Sequence, residues 1–359
     1  NTYITSYNAN MVANEVFIDS ATLRENVVSL ARNIGYLPRS RTAAQSSVSF
    51  YVDCNGITPT PSSITLKKGI IASSSGSATF GSSTFSILED ITVPVFNNIA
   101  NFDDIIIYEG VLLTTNFTVN ANNPNQRFII PNQGVDTSLI NVSIRPGQDS
   151  TILTKFNRQD DLFEVKSDSK VYFLQEIEDE QYEIFFGDGI FGSKPGSGSY
   201  LEISYISSSG DSGNGQSNFS FSGKISYVRN GTDYNITSGI SVLSSGFSSS
   251  GGEEIEPIDS IKKYAPRMYA SQNRALTAND YESIIPAKIY PETESISVFG
   301  GEELVPPQYG KVFISIKPRY GDFIPNLIKN KIKTKLKKYA VAGIVPEILD
   351  LKYLNVEVH

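Results

Sequence analysis

Apolar residues recur along this chain in two rhythms. Near the start, Leu23, Val27, Leu30, Ala31 and Ile34 fall on one helical face. Ser20 or Thr22 is placed to cap that helix, with Glu25 three residues after Thr22. Gly35 suits the left-handed position past its end, and Pro38 follows. Residues 1–45 therefore read as a helical entry segment. Its apolar face must be buried, and because the chain turns β-rich at once, a helix from a partner subunit is the expected cover. From about Ser46 the rhythm changes to short alternations: Val48–Val52, Ile64–Leu66, Ile87–Val95, Asp104–Tyr108, Phe117–Val119, Phe128–Ile130, Leu139–Ile144, Val171–Leu174, Tyr182–Phe186 and Tyr200–Tyr205. Their regular spacing predicts antiparallel sheets, sandwich-like or partly barrelled. Ser207–Gly215 and Ser238–Gly252 are rich in Ser and Gly and read as mobile. The second marks a domain boundary, with Ser244–Gly252 as a candidate hinge.

The helical rhythm returns after Glu253. Thr277 is a fitting N-cap, with Asp280 where a capping-box acid belongs. Tyr281, Ile284 and Ile285 form an apolar face, and Pro286 is expected to end that helix. A strand, a tight loop and a second strand follow. A second helix starts near Pro325, with Ile328, Ile332, Leu336 and Tyr339 on one face and Gly343 and Pro346 closing it. Helix, strand, strand, helix, strand is compatible with a ferredoxin-like α/β sandwich. The fold class is thus α+β and predominantly β. The expected parts are a helical segment 1–45, a β-domain 46–147, a second β-region 148–252 with Ser/Gly-rich loops, and a small α/β domain 253–359.

Charge sharpens this division. The formal net charge is −8, but residues 1–254 hold 15 Lys+Arg against 26 Asp+Glu, a net of −11, and the remainder 15 against 12, a net of +3. An acidic body argues against general nucleic-acid binding. No apolar run approaches the ~20 residues of a membrane helix. The single cysteine, Cys54, rules out an internal disulfide framework. The 359 residues begin at Asn1 and stop at His359 inside an apolar–polar alternation, which reads as a slice of a longer protein.

Candidate chemistry is thin. His359 is the only histidine, so no Ser–His–Asp relay can be assembled around Gly210-Asp211-Ser212-Gly213, which reads as a flexible hairpin tip. Gly187-Asp188-Gly189-Ile190-Phe191-Gly192 fits GxGxxG, yet no helix follows to hold a pyrophosphate. Asp188-Gly189 reads instead as a hairpin turn. One Cys and one His cannot make a zinc site, and the acids at Glu176–Glu180 and Asp160-Asp161 lack the spacing of a calcium loop. They read as solvated acidic loops. No catalytic, cofactor or metal residue is therefore assigned. Lys329, Lys331, Lys333, Lys335, Lys337 and Lys338 read as the solvated face of a helix; any partner for them would be an acidic surface of a neighbouring copy.

The wording of three segments says more. Tyr264–Pro318 contains NRALTANDYESII and GKVFISIKP, Met11–Ala44 ends in GYLPRSRTAA, and Tyr182–Gly215 contains YEIFFGDGIFGSKPGSG. Taken in their order along the chain, they resemble the baseplate wedge proteins of T-even-like contractile-tail phages, within the baseplate J-like family. The resemblance implies a structural subunit of the virion's tail baseplate, assembled in the host bacterial cytoplasm. It also implies partners: other copies of itself, as a dimer and in a ring around the hub that widens on tail contraction; a second wedge protein; and a small sheath-initiator protein. Neither nucleic acid nor membrane is implied. Tyr264, Arg267, Tyr269, Asn273 and Arg274 are the candidate contact residues, because aromatics and Arg dominate interface energetics. The alternative is a receptor- or glycan-binding β-module of a phage tail, favoured by the Ser/Thr/Asn/Gly-rich middle and disfavoured by the absence of Trp. A hydrolase using two carboxylates is the third reading, with no pair singled out.

Overall fold

The computed structural model describes residues 9–350 except for 75–80, 121–122, 124–125, 160–164, 244–247, 272–273, 291–292, 319–323, 325 and 341–342. The chain is predominantly β, in several largely antiparallel sheets. Its contacts divide it into two units, residues 40–255 and residues 1–39 together with 256–359.

The unit 40–255 holds three sheets. A six-stranded sheet runs Phe219–Phe221, Gly69–Ser74, Thr84–Ile87, Ile99–Glu109, Gln45–Asp53, Ile240–Leu243. A four-stranded sheet runs Thr232–Ile236, Ile225–Arg229, Ser63–Leu66, Ile91–Pro94. Between them lies one core in which Phe50 stacks on Phe102 at 4.7 Å and Phe85 meets Phe219 edge-on. The third sheet has seven strands, in the order Val111–Thr118, Tyr200–Ser207, Asn141–Arg145, Thr154–Arg158, Val171–Glu176, Tyr182–Phe186, Phe128–Ile130. Thr154–Arg158 and Val171–Glu176 pair in parallel.

Three expectations change here. Ile87–Val95 is two strands in two sheets, parted at Leu88–Asp90, where Asp90 turns back to accept the Lys68 N–H at 2.8 Å. Ser207–Gly215 is packed: Ser208, Gly210 and Gly213 are buried. The Ser208 hydroxyl and the Ser209 N–H donate to the buried Glu109 carboxylate at 2.7 and 3.0 Å. Within 238–252, Ile240–Leu243 is a strand paired with Gln45–Asp53. The Ser249 hydroxyl donates to Gly213 O at 2.6 Å, and Asn214 makes a two-way bond with the Gly252 backbone at 2.8 Å each. Of the candidate hinge, residues 244–247 lie outside the described residues.

In the other unit, helix α1 spans Arg24–Asn33. Neither Ser20 nor Thr22 caps it. Glu15 instead braces the turn that leads into it, accepting from Asn26 Nδ2 (2.8 Å) and from the Thr22 N–H (2.9 Å) and hydroxyl (2.7 Å). These bonds pull its carboxyl pKa down to about 2. Its end is a Schellman turn: Gly35 has φ +79°, its N–H meets Arg32 O, and the Tyr36 N–H meets Ala31 O. The buried stripe is Val27, Val28 and Ala31, while Leu23 stays exposed. The cover is not another subunit. It is α2, Ile258–Ser271, of the same chain, through Ile261, Ala265 and Met268.

Helix α3, Ala278–Ile284, opens on the expected capping box, and Tyr281 and Ile284 are fully buried. Pro286 does not stop the chain's winding. Having no N–H, it cannot bond back to Glu282, and the winding loosens into a π-turn over Ile285–Ile289, closed by Tyr290 N–H to Ile285 O at 2.8 Å. The sheet of this unit runs Thr293–Gly300, Lys311–Pro318, Val345–Leu349, and α4, Asn326–Leu336, packs beneath it through Ile332 and Leu336. Its described strands depart from the ferredoxin-like pattern. There the two strands joined by a crossover helix flank a third; here Lys311–Pro318 and Val345–Leu349 are immediate, parallel neighbours.

Candidate interaction surface

Of the five residues singled out for contacts, α2 carries three. Its apolar stripe turns Ile261, Ala265 and Met268 inward. Tyr264 sits at the margin of that stripe, half-buried against the core, with Lys263 Nζ 5.2 Å from its ring. Arg267 is exposed and Tyr269 is 65% exposed. Arg274 is exposed in the connection to α3, and Asn273 lies outside the described residues. The sequence therefore grouped residues of two kinds: Tyr264 supports the fold, whereas Arg267, Tyr269 and Arg274 face solvent.

The segment holding α1 to this unit is organised by one buried carboxylate. Glu256 accepts from the Tyr36 hydroxyl (2.8 and 3.0 Å), the Arg39 N–H (2.9 Å) and the Ser260 hydroxyl (2.6 Å), and its carbonyl takes a bond from Arg24. Burial, and then the Glu256 charge, raise the Tyr36 pKa well above its ordinary value. A buried acid with this many donors is an anchor of structure, and nothing in the local sequence announced it.

The lysine run divides as well. Ile332 and Leu336 are buried, and Lys331, Lys335, Lys337 and Lys338 are exposed. Lys329 reaches Asp350. Positive charge at the last turn also suits the helix dipole, so part of the run has an ordinary structural reason.

The strands Thr293–Gly300 and Lys311–Pro318 are joined by GEELVPPQYG, in which Val305 is 98% and Tyr309 82% exposed. Sequence reasoning passed over this loop as a tight connection; the signal it missed is an aliphatic residue ahead of Pro306-Pro307 with two acids before it.

The motifs weighed for catalysis are structural. Gly210–Gly213 forms a 3-10 turn, and the Ser212 hydroxyl donates to Ser209 O at 2.8 Å. It is not a hairpin tip, because Glu109 and Glu254 close in on its glycines. Gly187–Gly192 is not a hairpin turn either: Tyr182–Phe186 pairs with Val171–Glu176 and Phe128–Ile130, and Tyr200–Ser207 lies elsewhere in the sheet. The Asp188 carboxylate accepts the Ile190 and Phe191 N–H groups at 2.8 and 2.9 Å, which lowers its pKa. A side chain at Gly187 would have its Cβ 2.1 Å from Phe191 O.

Among the acidic stretches, Glu178–Glu180 forms a surface 3-10 turn, Glu176 is buried, and Asp160-Asp161 lies outside the described residues. A cleft of about 350 Å³ in the unit 40–255 is lined by Lys68, Glu89, Lys155 and Glu202, whose charges pair with one another. Cys54 is buried, and burial raises its thiol pKa. Among the described residues no cluster of three His, Cys, Asp or Glu could hold a metal, and no helix is long and apolar enough to cross a membrane.

Comparison with known proteins gives these surfaces a setting. Residues 277–349 match the family described as baseplate structural protein gp6, C-terminal domain I. The chain is similar to baseplate wedge protein gp6 of Enterobacteria phage T4, 25% identical over 371 residues, covering 99% of this chain and 53% of that protein. It thus spans about half the length of the curated relative it matches. A chain in the six-fold symmetrised cryo-EM baseplate of the anti-feeding prophage is also similar, with 14% identity, a TM-score of 0.35, and coverage of 92% of this chain and 61% of that one. The matched segment takes in the capping box of α3, the two antiparallel strands with their exposed loop, and α4, and the similarity to the T4 baseplate wedge protein extends over 99% of this chain.

Proposed function

We propose that this chain is a structural subunit of a phage tail baseplate wedge. The observation that carries the reading is the alignment to the T4 wedge protein over 99% of the chain. Copies join in a ring around the tail hub, together with a second wedge protein and a sheath initiator that meets the helical part, and the ring rearranges when the tail contracts. The mechanism lies in interface energetics. Such an assembly holds through contacts of moderate size between rigid units, and it switches by exchanging one set of contacts for another. Arg267, Tyr269 and Arg274, exposed on one unit, are suited to such contacts.

The test is localisation in the particle. Purified tails labelled with a gold-conjugated antibody against this chain carry label at the baseplate end. Label along the tube or on the fibres, with none at the end, overturns the reading.

A further inference from the structure

The cleft in the unit 40–255 has the seven-stranded sheet as its floor, with Lys68 and Leu88–Asp90 as a wall. Strand register decides what the floor displays. Ser143 lies opposite Glu202 on one side and Lys155 on the other, and Asn141 lies opposite Ser204. These side chains therefore rise from the same face of the sheet. The charges of the lining already have partners. Lys68 meets Glu202 at 3.5 Å, and Glu202 also takes Arg145 at 2.8 Å. Lys155 pairs with Glu89, and Asp90 meets Lys67 at 3.6 Å. The neutral polar groups differ. Among the described residues, the side chains of Asn141, Ser143 and Asn157 have no hydrogen-bond partner, and all three line the cleft. Leu153, 43% exposed, adds an apolar patch to the same lining.

This lining selects by chemistry. An ion of either sign would compete with a partner already in place. An apolar ligand would leave the amides and the hydroxyl unpaired. A nucleobase needs an exposed ring to stack on, and Phe156, the aromatic residue of the lining, is buried. An added peptide strand needs an open edge, whereas Asn141–Arg145 and Thr154–Arg158 are each flanked by strands on both sides. What fits is a neutral molecule with several hydroxyls and a small apolar face. Asn and Ser both donate and accept, so they match hydroxyls that do the same, taking the place of water. Leu153 suits the C–H face of a sugar ring. A volume of about 350 Å³ lies at the lower end of ligand sites, which suits a short ligand. We infer that the cleft binds a short neutral saccharide, with Asn141, Ser143 and Asn157 bonded to its hydroxyls and a ring face over Leu153. This goes beyond the structural-subunit reading, which assigns the chain no small ligand, and does not depend on it.

NMR titration of the intact chain tests the inference. The neutral probes are glucose, galactose, mannose, N-acetylglucosamine, maltose, lactose and chitobiose; glucuronic acid and glucosamine are the charged counterparts. At least one neutral probe binds at millimolar concentration and shifts the side-chain amide signals of Asn141 and Asn157, and the charged counterparts bind more weakly. Asn157→Ala and Leu153→Ala alter exposed positions, melt like the wild type, and each raise the dissociation constant about five-fold or more. The amide shifts are read on the wild-type chain, so they locate the site even where a variant folds poorly. Three results overturn the inference: no neutral probe binds, the shifts fall outside the cleft, or a well-folded variant binds as tightly as the wild type. A charged counterpart that binds as tightly as the neutral probes overturns it too, since the lining would then not select for neutrality.

Discussion

The Tyr36 hydroxyl donates to both oxygens of the buried Glu256 carboxylate, at 2.8 and 3.0 Å, and so joins positions 220 residues apart in the sequence. Hydrogen bonds to a buried charge contribute about 1.5–3 kcal/mol each, and removing the acceptor strands its donors. Tyr36→Phe is expected to lower the unfolding free energy by about that amount. Glu256→Ala should cost more, because the Tyr36 and Ser260 hydroxyls and the Arg39 N–H all lose their acceptor. Urea unfolding of the two variants checks the order; equal, small losses would show that the carboxylate is not the anchor.

Glu15 predicts a pH dependence. Its folded-state pKa lies near 2, below its ordinary 4.5. A depressed acid contributes stability above its ordinary pKa and loses it as pH falls toward the folded value. The turn leading into α1 is therefore expected to loosen between about pH 4.5 and 2, seen as faster amide exchange at Thr22 and Leu23. Glu15→Gln should flatten that dependence. Identical exchange profiles for the two proteins across this range would remove Glu15 as the brace of this turn.

Gly187 and Gly56 form a matched pair. A Cβ at Gly187 meets backbone oxygen at 2.1 Å, whereas one at Gly56 meets nothing within 4 Å. Forced overpacking costs about 1–3 kcal/mol. Gly187→Ala should lose about this much and Gly56→Ala almost nothing, by thermal or chemical unfolding. A neutral Gly187→Ala would mean that the loop relaxes without cost.

The contact candidates on α2 separate by readout. Tyr264→Ala removes a half-buried ring and is expected to destabilise the fold by about 1–2 kcal/mol. Arg267→Glu and Tyr269→Ala should change stability by less than about 0.5 kcal/mol. If these two carry contacts between copies, they lower association in light scattering at unchanged stability. Loss of stability from Arg267→Glu would place it in the fold instead.

How much was legible follows from the reach of each signal. The capping box at Thr277 and Asp280, the stripe of Ile332 and Leu336, the alternation at Val48–Val52 and the β-prone run Tyr182–Phe186 are local patterns, and the structure bears them out as cap, helix face and strands. Thr232–Ile236 escaped notice because only Ile236 of its five residues is buried, so it shows no alternation. Asp188-Gly189 is a sound local turn signal, but which strand pairs with which is decided by long-range register. The cover of α1 by α2 and the packing of Glu109 against Gly213 join residues far apart in the chain, beyond what any sequence window contains. The loop carrying Val305 was passed over because periodicity speaks to strands and helices and is silent on what a turn displays.

The unit 40–255 is inserted into the other, and this has a consequence during synthesis. Ile261, Ala265 and Met268, which cover the apolar face of α1, are translated only after the whole inserted unit. At about 5–20 residues per second, that is a wait of roughly 10–40 s, ample for the inserted unit to fold first. Through that interval Val27, Val28 and Ala31 lack the α2 residues that cover them. The stretch most exposed to chaperones, or to an early encounter with another nascent subunit, is therefore the apolar face of α1.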